Sequence, residues 1–186
     1  MPKTFSKEKI GKEINKLIDF KEHINMLIDD YFVNVILFDS WYAKNPIIKN
    51  IQERNFFFIS RARSNNVVLL NEKKIQLKKF AEAVPHTEYE LFKINDKNYW
   101  VYEKELIFKT YGSMRVILSK EGVYDEPIFL ITNSKFSSQF VVKLYLKRFA
   151  IEIFLKDAKQ FLNFETFLCR NAQKWKLHLQ LINILH

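Results

Sequence analysis

Residues 32–60 read FVNVILFDSWYAKNPIIKNIQERNFFFIS. The run from Phe32 to Phe38 is β-branched and aromatic with almost no polar interruption, the pattern of a strand buried on both faces. It delivers Asp39 at its C-terminal end. Asn45 to Arg54 follows with apolar residues at helical spacing, and Phe56 to Ser60 is a second buried strand ending at Arg61 and Arg63. Strand, helix, strand is the crossover unit of a parallel sheet, so the fold class expected is α/β. Catalytic groups in open α/β sheets gather at the C-terminal ends of strands, which gives Asp39 weight as a functional carboxylate. The plainer role for Asp39 is to cap the helix that starts near Pro46. Arg61 and Arg63 could meet a phosphate beside it, although arginines at a strand end are more often simply solvated.

Upstream, Ser6 opens an amphipathic pattern through Ile10, Ile14, Leu17, Ile18, Ile24, Leu27, Ile28 and Tyr31, which predicts a long helix, with a break near Phe20. Downstream, Val67 to Leu118 changes to alternating stretches: Tyr89 to Ile94, Tyr99 to Lys104, Leu106 to Thr110 and Met114 to Leu118. Turns fall at Asn95 to Asn98 and Tyr111 to Ser113. This is a β-rich insertion within one domain. Its Tyr99, Trp100 and Tyr102 have the faces to stack on unpaired bases, but aromatics at strand spacing are usually packing. Ile128 to Thr132 is a further short buried strand.

Composition sets the outer bounds. The chain has 186 residues, 48% hydrophobic and 16% aromatic, enough apolar material to bury a core. Thirty Lys and Arg against 21 Asp and Glu leave a net charge of +9, which favours a polyanionic partner such as DNA without requiring one. Cys169 is the only cysteine, and His23, His86, His178 and His186 are scattered, so a structural disulfide and a zinc site are both unsupported. The charged start lacks the apolar core of a signal peptide, and no apolar run is long enough to span a membrane. The expected setting is the cytoplasm.

From Ser137 to Gln160 there is no Gly or Pro, and one continuous helix is expected. At about 100° per residue, Tyr145, Arg148, Glu152 and Lys159 fall within an arc of about 60°. The plain reading is a solvated face with an Arg148 to Glu152 ion pair at i,i+4. The sharper reading is phosphoryl chemistry. Two-metal phosphodiester cleavage needs carboxylates sharing hard cations, here Asp39 and Glu152, and cationic donors on the phosphate, here Arg148 and Lys159. Tyr145 would donate to a further phosphate oxygen.

The spacing Tyr145-x2-Arg148-x3-Glu152-x6-Lys159, followed by Gln160 and Phe161, resembles the Tyr-Arg-Glu-Lys signature of bacterial insertion-sequence DDE transposases. Phe38-Asp39-Ser40-Trp41-Tyr42 is similar to the segment around the second catalytic Asp of that family, and the β-rich stretch between Asp39 and Glu152 to its insertion. The resemblance implies a partial RNase H-like fold, a mixed sheet with flanking helices and a β-rich insertion before the helix that carries Glu152. It further implies Mg2+ as cofactor, with Mn2+ able to substitute, and Asp39 and Glu152 as catalytic metal ligands. Tyr145, Arg148 and Lys159 become DNA contacts. The partners implied are transposon-end and target DNA, and a second copy in a synaptic homodimer.

The family uses three carboxylates, the first on an opening strand. Only 38 residues precede Asp39 here, and Asp19, Asp29 and Asp30 lie on or near the predicted helix. The expectation is therefore a single partial catalytic domain over 1–186, lacking the first Asp: helix, strand, helix and strand over 1–66, the insertion over 67–124, and the last strand with the Glu helix and a C-terminal helix over 125–186. The abrupt apolar end from Leu177 to Leu185 is read the same way. A non-catalytic remnant that binds DNA or a protein partner is the alternative.

Overall fold

The computed structural model of the chain describes residues 15–25, 35–70 and 72–161. It divides into two compact units, Met1–Lys143 and Leu144–His186.

Among the described residues, the first unit is built on a mixed sheet of eight strands flanked by helices. Strand β1 (Val35–Phe38) leads through helix α2 (Asn45–Glu53) to β2 (Phe57–Arg61). The two strands are parallel, with Val35 opposite Phe57 and Phe38 opposite Ser60, as the crossover pattern predicts. Helix α2 buries Ile47, Ile48 and Ile51, one face at helical spacing, and each such side chain contributes about 1.5–3 kcal/mol on leaving water. Asn50 on the same face donates to Asn25 Oδ1 at 3.0 Å, tying α2 to helix α1 (15–25). Within α1, helix runs through Phe20 without the expected break. Phe20 stacks on Tyr42 at 4.0 Å and meets Phe38 edge-on. The remainder of the long predicted N-terminal helix and Phe32 to Asn34 lie outside the described residues.

The other pairings are antiparallel. A hairpin of β3 (Val67–Leu70) and β4 (Lys73–Gln76), turning through Glu72 at φ 65°, runs directly into helix α3 (Leu77–Glu82). Then come β5 (Glu90–Ile94), β6 (Lys97–Phe108), β7 (Gly112–Lys120) and β8 (Ile128–Thr132). The order across the sheet is β1-β2-β8-β7-β6-β3-β4, with β5 also on β6. The strands of the predicted insertion thus extend the sheet begun by β1 and β2. The turn between β5 and β6 uses Asn95 and Asp96 at φ 48° and 64°, the left-handed geometry that two-residue hairpins need and Asn and Asp tolerate.

Two predicted strands, Tyr99 to Lys104 and Leu106 to Thr110, are one. Strand β6 pairs with β7 without interruption from Trp100 opposite Lys120 to Phe108 opposite Gly112. The buried phase changes along it: Tyr99 and Val101 point to one face, Leu106 and Phe108 to the other. A change of covered face breaks the alternation while leaving the ladder intact. The aromatics of this strand pack inside the protein. Tyr99 is buried and donates to Glu121 at 3.1 Å, Trp100 meets His86 edge-on at 4.3 Å, and Tyr102 lies against Phe80 and Tyr89.

Strand β2 receives extra partners where β8 ends. Asn133 Oδ1 accepts from the Phe58 amide at 2.9 Å while its Nδ2 donates to the Phe56 carbonyl at 2.9 Å. One amide side chain thereby continues the ladder where the β8 backbone turns away.

Candidate active site

Asp39 sits where the sheet pattern places it, immediately after β1. The parallel register aligns Phe38 with Ser60, so Asp39 and Arg61 leave neighbouring strands at the same level. Helix α2 has Lys44 at its N-cap, with Pro46 in the first turn. Asp39 therefore does not cap that helix, and the plainer role considered for it is set aside. Its Oδ1 accepts from the Ser40 amide at 2.6 Å, and its carbonyl accepts from the Tyr42 amide at 3.0 Å, which closes a turn and holds the carboxylate at the strand end. The side chain is exposed and makes no ion pair among the described residues. A cleft of 410 Å³ in the first unit is lined by Asp39, Arg61, Arg63 and Glu126. An exposed carboxylate oxygen is the donor that hard divalent cations take, so Asp39 fits as one metal ligand. Among the described residues no three His, Cys, Asp or Glu side chains gather into a metal-holding group.

The second unit carries the other predicted residues. The expected single helix is two: α4 (Ser138–Lys147), which begins in the first unit, and α5 (Phe149–Phe161), with Arg148 between them. The Arg148 amide donates to the Tyr145 carbonyl at 3.0 Å, an i to i−3 bond that tightens the chain at the junction. Despite the break, Tyr145, Arg148 and Glu152 are brought together. Tyr145 is buried, at 2% exposure. The Arg148 guanidinium lies 5.3 Å from the Tyr145 ring centre and 5.3 Å from that of Phe149, and its Nη1 is 2.8 Å from Glu152 Oε1. Burial alone would lower its pKa. The Tyr145 hydroxyl and the Glu152 carboxylate more than offset this and hold it above its ordinary value. Glu152 stands in the first turn of α5, where the helix dipole favours a carboxylate, and just over half of its side chain is exposed. The Lys159 side chain lies outside the described residues.

A polar network that sequence reasoning missed fixes the start of α4. Arg115 of β7 donates through Nε and Nη2 to Glu103 Oε2 of β6, through Nη1 to the carbonyls of Ser134 and Phe136, and through Nη2 to Ser138 Oγ at 3.0 Å. Ser138 Oγ also donates to Glu103. All five guanidinium N–H groups are used, which pins the connector between β8 and α4 to the sheet. In the ladder Arg115 stands opposite Glu105, and its ion pair is with Glu103 on the diagonal, so only the register could have revealed it.

The sequence matches a family described as the transposase DDE domain, over residues 14–186. Comparison with curated proteins gives no match.

Proposed function

The chain belongs to the transposase DDE domain family, and we propose that it forms part of a catalytic core for phosphodiester cleavage and strand transfer at transposon ends. The observation that carries this reading is the constellation on the α4–α5 junction, where a buried phenol, a guanidinium and a carboxylate meet within two turns of chain. In this proposal Asp39 and Glu152 are the oxygen ligands of Mg2+, or of Mn2+ in its place. When bound, the ion supplies Lewis-acid polarisation of the phosphate and lowers the pKa of a coordinated water. The protein's own groups orient the DNA. Arg148 offers a planar fork for phosphate oxygens, Tyr145 holds that fork in place through its ring and hydroxyl, and Lys159 adds a point charge. Arg148 pairs with Glu152 at 2.8 Å, and phosphate would draw the guanidinium away and release the carboxylate.

DNA is the partner the family implies, and a paired copy in a synaptic complex is part of the proposal. The protein would work in the cytoplasm, on DNA. No helix among the described residues is long and apolar enough to cross a membrane.

The same Arg148 to Glu152 pair is also the ordinary i,i+4 contact of a helix face, which favours a second reading, a DNA-binding or partner-binding module without turnover. Plasmid nicking separates the two. Nicking that needs Mn2+ or Mg2+ and disappears in Asp39→Asn and in Glu152→Gln supports the enzyme. DNA affinity without nicking in either metal assigns the module, and nicking indifferent to both substitutions overturns the site.

A further inference from the structure

A second cleft, of 190 Å³, adjoins the one at Asp39. The two share Ser40 and Arg63 and lie wholly within the first unit, so together they form one furrow past the end of β1 and β2. The second cleft is lined by Lys44, Arg63, Asn66, Thr110 and Tyr111 among others, and by no carboxylate. Lys44, Arg61 and Arg63 make no ion pair among the described residues. Arg61 and Arg63 are exposed on either side of buried Ala62, the alternation that turns both arginines outward from an extended chain. The acids of the furrow are Asp39 and Glu126, and Glu126 is already paired with Lys78 at 3.1 Å.

We infer that this furrow seats one phosphodiester strand, with Arg61 and Arg63 gripping the phosphate beside Asp39 and Lys44 holding the neighbouring one. The inference rests on the DNA-processing reading above and adds a track for the strand, built from residues outside the Tyr145 to Lys159 segment. The charge layout selects a polyanion. Three cations that make no ion pair among the described residues share the furrow with Asp39 and the already paired Glu126, and a divalent ion on Asp39 would make the furrow more positive still. A lone phosphate would satisfy one cleft and leave the other empty, whereas consecutive phosphates of a strand fill both. Arginine suits the inner position because its fork meets two phosphate oxygens at once.

The test is equilibrium binding of the full chain to labelled single-stranded and duplex oligonucleotides across a salt series, with inorganic phosphate as competitor. Arg61→Ala with Arg63→Ala should weaken binding about tenfold and reduce the slope of log affinity against log salt by about 0.7 for the single strand and about 0.9 for the duplex, one phosphate's worth. Lys44→Ala, which releases the neighbouring phosphate, should reduce it by about the same amount. Glu126→Gln should tighten binding by about threefold, since it removes a repelling charge. Lys93→Ala with Lys104→Ala removes the same charge as the arginine pair from exposed positions that line neither cleft, and should change affinity less than about twofold. Equal weakening by this control and by the arginine pair overturns the furrow, as does an arginine-pair variant that binds like the parent. Phosphate competing at concentrations similar to the oligonucleotide also overturns it. If Arg148→Ala weakens binding and the arginine pair does not, the furrow fails while the DNA reading stands. If no substitution alters a salt-dependent affinity, the DNA reading fails with it.

Discussion

Arg148 Nη1 and Glu152 Oε1 stand 2.8 Å apart, four residues apart in sequence, with the arginine 15% and the glutamate 54% exposed. The half-exposed carboxylate makes this a modest stabilising contact, since i,i+4 pairs of that kind contribute about 0.3–0.5 kcal/mol. A carboxylate held so lightly is available for other work.

Glu152→Gln should accordingly shift unfolding free energy by less than about 1 kcal/mol while removing any stabilisation that Mn2+ confers. Thermal denaturation with and without the ion reads both effects. A loss of several kcal/mol without metal would make Glu152 a structural residue and withdraw its catalytic assignment.

Arg115→Ala should be more costly, about 2 kcal/mol, because it leaves the part-buried Ser134 and Phe136 carbonyls without the donor that the guanidinium supplies, while the half-exposed Glu103 carboxylate is left to water. Arg115→Lys should recover only part of this, since an ammonium cannot reach these four acceptor atoms in fork geometry. Chemical denaturation gives the magnitudes. Hydrogen exchange should locate the loosening at the start of α4, including the Val141 amide that donates to Ser137 at 3.0 Å. A uniform loss of protection would argue against a local latch.

Acid should open the same latch. Burial pushes the Glu103 carboxyl up, but the Ser138 hydroxyl and the Arg115 guanidinium outweigh it and leave the pKa below its ordinary value of 4.5. A depressed folded-state pKa contributes stability that is fully present above that value and is lost as pH falls through the folded pKa. Denaturation from about pH 6 down to about pH 3 should show a decline below the ordinary value that is shallower in Glu103→Gln. Identical profiles for the two proteins would remove Glu103 from the account.

The elements legible in the sequence are those whose signal is local. Ile128 to Thr132 was bounded by Pro127 and Asn133 and forms β8 as read. The strand, helix and strand around Asp39 could be read because β-branched and aromatic runs and the Ile47, Ile48, Ile51 face are short-range patterns, although β1, at the end of the strand order, is only half-buried from Val35 to Leu37 and not covered on both faces as expected. The unity of β6 was hidden, because which of its faces is covered depends on partners far away in the chain. Strand β4 and helix α3 carry mixed polar sequence that matches neither period strongly, and the four apolar residues of β3 are too few to tell strand from helix, so neither the hairpin nor α3 is legible in the sequence. The junction at Arg148 was equally hidden, since no Gly or Pro marks it.

By itself the sequence determined the kind of protein this is, through the spacing of Tyr145, Arg148, Glu152 and Lys159 and a carboxylate at the end of an apolar strand. Those signals are local, because helical and strand periods hold the side chains of the proposed site at regular intervals. Tertiary structure alone decided how the site is supported. Register placed Arg115 diagonally from Glu103, and the parallel pairing of β1 with β2 set Asp39 level with Arg61. Each of these depends on contacts between residues distant in the chain, and no local window of sequence records them.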